Sequence, residues 1–132
     1  MKPDVTLAHV DEFLRLYQIG FVAVWPLLGL VSADRWSPAA VAALLVLSIC
    51  FNTFGGVLND ISDLPSDRES RKRSDRWLVT GAVSERSALM LVFSQVPLML
   101  VAHVAAGFRA GALPWLAAAL LGQTFYDLRG KR

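Results

Sequence analysis

Residues 36–67 read Trp36-Ser37-Pro38, then AAVAALLVLSICFNTFGGVLN over 39–59, then DISDLPSD over 60–67. Between Arg35 and Asp60 lie 24 consecutive uncharged residues. The run opens on a helix signal: Ser37 can accept an N–H bond at the first turn. Pro38 follows at the first helical position, where its missing N–H costs nothing. A helix of about 20 apolar residues crosses the hydrocarbon core of a bilayer. The stretch therefore predicts a membrane-spanning helix that ends in a cluster of acids.

Three further runs flank it. There are 18 uncharged residues between Arg15 and Asp34, 22 between Arg86 and Arg109, and 17 between Arg109 and Asp127. Only 18% of the 132 residues are charged and 55% are hydrophobic, with a mean hydropathy of +0.46. A soluble domain carries about a quarter charged residues. The expectation is an all-α membrane protein of about four transmembrane helices, forming a single domain over 1–132. A soluble globular enzyme, a disordered chain and a disulfide scaffold are excluded. The lone Cys50 has no intrachain partner. A net charge of +2 is too small to suggest nucleic acid, so the expected surroundings are the lipid bilayer.

With four spans, both termini share one side with the connection between spans 2 and 3. That side collects Lys2, Arg15, Arg68, Arg71, Lys72, Arg73, Arg76, Arg86, Arg129, Lys131 and Arg132, which is 11 of the 13 basic residues; Arg35 and Arg109 fall opposite. Basic residues stay cytoplasmic. Both termini and the 62–84 loop are expected to face the cytoplasm. Val31-Ser32-Ala33 imitates a signal-peptide cleavage site, but Asp4, Asp11 and Glu12 do not suit a basic leader, and Trp25-Pro26 interrupts its apolar core.

Local punctuation agrees with these boundaries. Asp11 can cap a short turn ahead of the first span, and Ser84 can cap the third helix with Glu85 at its positive end. Gly107 and Gly111 bracket the turn into span 4. Pro26 and Pro97 fall inside spans 1 and 3, where each removes a backbone hydrogen bond and kinks its helix.

At about 100° per residue, Asp60, Asp63 and Asp67 lie within roughly 60° of one another, and Asn59 within about 40° of Asp63. Carboxylates at a helix C-terminus repel one another and face the negative end of the dipole. A hard cation such as Mg2+, which takes oxygen ligands, would relieve both penalties. The plainer reading is a set of solvated acids where a helix leaves the membrane, and it suits Asp63 and Asp67 taken alone. Asn59-Asp60, at the end of an uncharged run, is harder to dismiss, because ionisable groups at membrane depth are functional by default. Pro65 argues that the helix breaks there, which leaves the face of Asp67 open.

A dense basic run follows: Arg68, Arg71, Lys72, Arg73 and Arg76. Basic groups beside an acid cluster form a receptor for a diphosphate–magnesium complex, Arg through bidentate contacts and Lys as a compact charge. As a whole the run also reads as an anchor on anionic lipid. Arg76, ahead of Gly81, carries the functional reading.

Residues 59–84 resemble the first aspartate-rich region of the UbiA superfamily of intramembrane prenyltransferases. Its pattern is Asn-Asp-x-x-Asp-x-x-x-Asp, a basic pair, Arg-Pro-Leu-x-Ser-Gly and a Ser or Thr opening the next helix. Here Asn59, Asp60, Asp63, Asp67, Arg71-Lys72, Arg76, Leu78, Gly81 and Ser84 match without a gap. Trp77 stands where the family has Pro, and Thr80 where it has Ser. Arg15 and Trp25-Pro26-Leu27-Leu28 are similar to the family's opening helix, and Tyr126 to Arg132 to its Tyr-then-basic segment after helix 4.

The resemblance implies transfer of a prenyl group from a prenyl diphosphate to a small-molecule acceptor, often aromatic, within the membrane. It assigns Asn59, Asp60, Asp63 and Asp67 to Mg2+ and diphosphate, with Asp60 and Asp63 at the centre of catalysis. Arg71, Lys72, Arg76 and Arg15 become diphosphate contacts. It covers only the front half of the family pattern, since after Asp67 the sole aspartates are Asp75 and Asp127. The expectation is a fragment, a chain completed by a second chain carrying the C-terminal half or by a second copy, or a non-catalytic relative that binds prenyl diphosphate or lipid, or packs with partner helices. His103 and Cys50 read as packing residues.

Overall fold

The structure, a computed structural model, describes Val10 and residues 13–107 and 109–129. It is all-helical among the described residues. A short 3-10 turn, Leu16–Gln18, leads into α1, Ile19–Ser32. The second helix, α2, runs over Pro38–Glu69. A 3-10 turn at Arg71–Arg73 and the single-turn α3, Trp77–Thr80, connect it to α4, Glu85–Ala105. A last 3-10 turn, Ala110–Ala112, opens α5, Leu113–Arg129.

The caps fall where the sequence puts them. Ser37 Oγ accepts from Ala40 N at 3.1 Å, and Ser84 Oγ accepts from Ser87 N at 3.1 Å. Gly107, at φ 69°, makes the left-handed turn after α4. Pro26 and Pro97 lie inside α1 and α4. The cap expected of Asp11 lies outside the described residues.

At 32 residues, α2 is about 48 Å long at 1.5 Å per residue, well beyond the roughly 30 Å of a bilayer core. One continuous helix thus carries the chain from the apolar layer out to the acids. It is also the hub of the fold, packing chiefly on α4 and touching α1, α3 and α5. Cys50, Phe54, Val57, Leu58 and Leu64 of α2 meet Leu78, Ala88, Val92 and Met99 in one core. The outer faces are apolar too: Phe21, Trp25, Phe93 and Trp115 are exposed, as side chains in contact with lipid are. His103 is buried in packing, its Nε2 3.4 Å from the Arg109 carbonyl.

Two helices, α2 and α4, are long and apolar enough by themselves to cross a membrane. The other two are shorter, 14 residues in α1 and 17 in α5, because the uncharged runs that feed them are themselves shorter.

One expectation is corrected. Pro65 does not break α2, which continues to Glu69, so the connecting loop begins at Ser70 and not at residue 62. Long-range contacts hold the helix on both sides of the proline: Leu64 before it is buried in the core, and Asp67, in the single turn beyond it, is tied to the loop by two arginines. Those contacts outweigh the one backbone bond that proline removes.

Candidate functional site

Two helical turns separate Asp60 from Asp67, which puts both on one face of α2. Both are nearly buried, at 9% and 2% exposure. A buried carboxylate must be paired, and each is paired with two arginines. Arg15 Nη2 donates to Asp60 Oδ1 at 2.6 Å, and Arg76 Nη1 reaches the same oxygen at 3.2 Å. Arg76 Nη1 also donates to Asp67 Oδ2 at 2.9 Å, while Arg73 Nη1 donates to Asp67 Oδ1 at 2.6 Å. The result is a continuous row, Arg15–Asp60–Arg76–Asp67–Arg73. The Asp67 carboxylate, by hydrogen bond and by charge, holds the Arg73 guanidinium above its ordinary pKa.

The loop is built to seat Arg76. The side chain of Leu78 is buried in the core, which fixes α3 beneath the acid face. Arg76 lies just ahead of α3 in extended backbone, and Gly81 ends the helix at φ 75°, a left-handed conformation that favours glycine. Val83 N donates to the Trp77 carbonyl at 3.2 Å and closes the turn. Trp77 occupies the first helical position of α3, a place that accepts proline and tryptophan alike. Its ring lies 5.4 Å from that of Phe13 at an interplanar angle of 37°, so the opening segment leans on the loop.

The remaining expected residues sit close by. Asn59 Nδ2 donates to Asp63 Oδ2 at 3.2 Å on the flank of the acid face. Arg71 and Lys72 are exposed on the 3-10 turn and form no ion pair among the described residues. Arg73, which the sequence reading did not single out as a site residue, stands beside Asp67. Its only signal was position: six residues after Asp67, it falls within reach once the chain turns back.

The row encloses a cavity of about 70 Å3, lined by Phe13, Arg15, Asp60, Asp67, Arg76 and Trp77 among others. On the other side of Arg15 lies a second cavity of about 210 Å3, polar through Asn52, Asn59, Gln123 and Asp127. Arg15 Nε is buried and has no hydrogen-bond acceptor among the described residues. A buried donor left open costs about 1–3 kcal/mol, and an anionic oxygen would remove that cost.

The oxygen donors Asn59, Asp60, Asp63 and Asp67 are of the type that a hard divalent cation takes. No group of three acidic, His or Cys side chains converges on one point among the described residues, because the arginines hold Asp60 and Asp67. The two buried acids, Asp60 and Asp67, are balanced by the arginines of the row, Arg15, Arg73 and Arg76. A dication and an anionic ligand arriving together keep that balance, and either alone upsets it. The donor set therefore fits a metal that binds with an anion.

The model of the UbiA prenyltransferase family matches residues 21–132, a stretch that begins six residues after Arg15 and holds the acid helix and its loop. Over 94 residues the chain is 27% identical to 4-hydroxybenzoate octaprenyltransferase of Hydrogenovibrio crunogenus, covering 70% of this chain and 32% of that protein. The chain thus spans about a third of the length of this curated relative. No solved structure matches it. On the family match, over a helical bundle with an acid face at the end of its longest apolar helix, the chain belongs to the UbiA prenyltransferase family.

Proposed function

We propose that this chain forms the first diphosphate-binding half of an intramembrane prenyltransferase site that moves a prenyl group from its diphosphate to a small, often aromatic, acceptor. The observation that carries the reading is the Arg15–Asp60–Arg76–Asp67–Arg73 row. It places alternating charge where α2 emerges from its uncharged stretch. Asn59, Asp60, Asp63 and Asp67 would hold Mg2+, which when bound supplies positive charge to the departing diphosphate. Arg15, Arg73 and Arg76 turn from the carboxylates to phosphate oxygens, with Arg71 and Lys72 closing over the ligand from the exposed turn. Fixed guanidinium groups in a partly desolvated site stabilise the charge that develops as the carbon–oxygen bond breaks. The apolar helices hold the isoprenoid tail and keep water from the reacting carbon.

In this reading all four long helices lie in the membrane, with the site on the cytoplasmic side. The ligands that complete the reaction come from beyond the third of such an enzyme that this chain matches, whether on the same polypeptide, a partner chain or a second copy. The test is equilibrium binding of geranyl diphosphate to the protein in nanodiscs. Affinity should be higher with Mg2+ than with EDTA and should fall in Arg76→Gln. Binding indifferent to both contradicts the reading and leaves a membrane protein that merely associates with lipid.

A further inference from the structure

Arg15 is held in a conformation that a side-chain-bearing residue seldom adopts. Its backbone is left-handed, at φ 53° and ψ 39°, and three positions one turn apart on α2 grip it. Asn52 Nδ2 donates to the Arg15 carbonyl at 2.8 Å and to the Leu14 carbonyl at 3.3 Å. Gly56 leaves room for the stem: a Cβ there would lie 2.7 Å from Arg15 Cδ and 3.0 Å from its Nε. Asp60 takes the guanidinium at 2.6 Å. Residues 52, 56 and 60 form one stripe at helical spacing. Asn52 is a buried amide in an apolar run, at 8% exposure, and such a group needs partners. The two carbonyls turned towards it by the left-handed kink supply them.

We infer that Asn52 and Gly56 are positioning residues for Arg15, holding its backbone and stem so that the guanidinium is preset beside Asp60, at the wall of both cavities, from which it turns to a phosphate oxygen. Neither residue needs to touch the ligand. Both act by removing the freedom Arg15 would otherwise lose on binding. The last step of this inference rests on the diphosphate reading above; the grip itself does not.

The experiment separates the two. Wild type, Asn52→Leu, Gly56→Ala and the control Gly20→Ala, whose added methyl meets nothing within 4 Å, are treated with phenylglyoxal in nanodiscs. Modification is then read at each arginine by peptide mass spectrometry. Arg15 should react several-fold faster in Asn52→Leu and Gly56→Ala, with Arg73 and Arg76 unchanged and Gly20→Ala like wild type. Affinity for geranyl diphosphate with Mg2+ should fall about tenfold in the same two variants. In an Arg15→Ala background Gly56→Ala should have no effect, because its obstacle is gone. Unchanged Arg15 reactivity, or an equal rise at all three arginines, overturns the positioning role. Raised Arg15 reactivity with unchanged affinity upholds the grip and overturns the part of Arg15 in diphosphate binding. The contact at Gly56 is with a flexible side chain, so this variant retains the fold and decides the matter should Asn52→Leu not fold.

Discussion

Asp60 and Asp67, two turns apart on α2, share a single guanidinium, that of Arg76, at 3.2 and 2.9 Å. The bridge joins the end of a membrane-length helix to the loop that returns from it. Each carboxylate keeps one further arginine, Arg15 for Asp60 and Arg73 for Asp67.

That redundancy sets the size of the first expected effect. Removing one partner from a buried ion pair costs 3–5 kcal/mol when the remaining charge is stranded. In Arg76→Gln neither carboxylate is stranded, so the loss should be about 1–3 kcal/mol, the range for a lost buried hydrogen-bond partner. The exposed pair Arg68–Glu85, at 3.1 Å, gives the contrast: Arg68→Gln should change stability by no more than about 0.5 kcal/mol. Thermal unfolding of both variants in one detergent compares them.

Gly81 ends α3 at φ 75° with open space around it. Gly81→Ala should therefore cost about 1–2 kcal/mol through backbone strain alone. Gly29→Ala, inside α1 and equally unobstructed, should be neutral or stabilising, by up to about 1 kcal/mol. The same unfolding measurement checks the pair, and an equal response would mean that the αL position does not shape the loop.

Pro65 makes a further case. If its lost backbone bond is outweighed by the ties beyond it, Pro65→Ala should be tolerated or mildly stabilising. Combined with Asp67→Asn, proline should become harmful, because the last turn of α2 is then less firmly tethered. Amide hydrogen exchange over residues 66–69 reads this directly. Exchange that ignores Asp67 would put the stabilisation elsewhere.

These cases mark what could be read from the sequence. Ser37-Pro38 and Ser84 announce their helices because capping is a contact over three residues. Helical spacing puts Asp60 and Asp67 on one face only because α2 passes through Pro65, which the sequence argues against. The pairing of Asp67 with Arg73 has no local signal, since it depends on how the returning loop is seated by Leu78. The passage of α2 through Pro65 was misread for the same reason, local propensity being overruled by tertiary ties. The hold of Asn52 on Arg15 spans 37 residues and leaves no local trace beyond a polar residue in an apolar run.

The orientation we propose rests on the split of basic residues, 11 on one side of a four-span bundle and 2 on the other. With Cys50 replaced by Ala, single cysteines from Ser70→Cys and Gly130→Cys should be labelled only from the cytoplasmic side of sealed vesicles, and Ala110→Cys only from the opposite side. Labelling of position 70 from outside would reverse both the topology and the side on which the site opens.

The central claim is that the acid face binds Mg2+ together with a prenyl diphosphate and not alone. Calorimetry in detergent, titrating geranyl diphosphate with Mg2+ or with EDTA into wild type and Asp60→Asn, tests it most directly. The substitution deletes one charge and leaves shape and apolar area almost unchanged. Wild type should bind more tightly with Mg2+, and Asp60→Asn should lose that gain while keeping the background partitioning of the apolar tail. Losing a charged contact of this kind is worth about 1.5–3 kcal/mol, roughly ten- to a hundredfold in affinity. An identical Mg2+ response in wild type and Asp60→Asn would contradict the account.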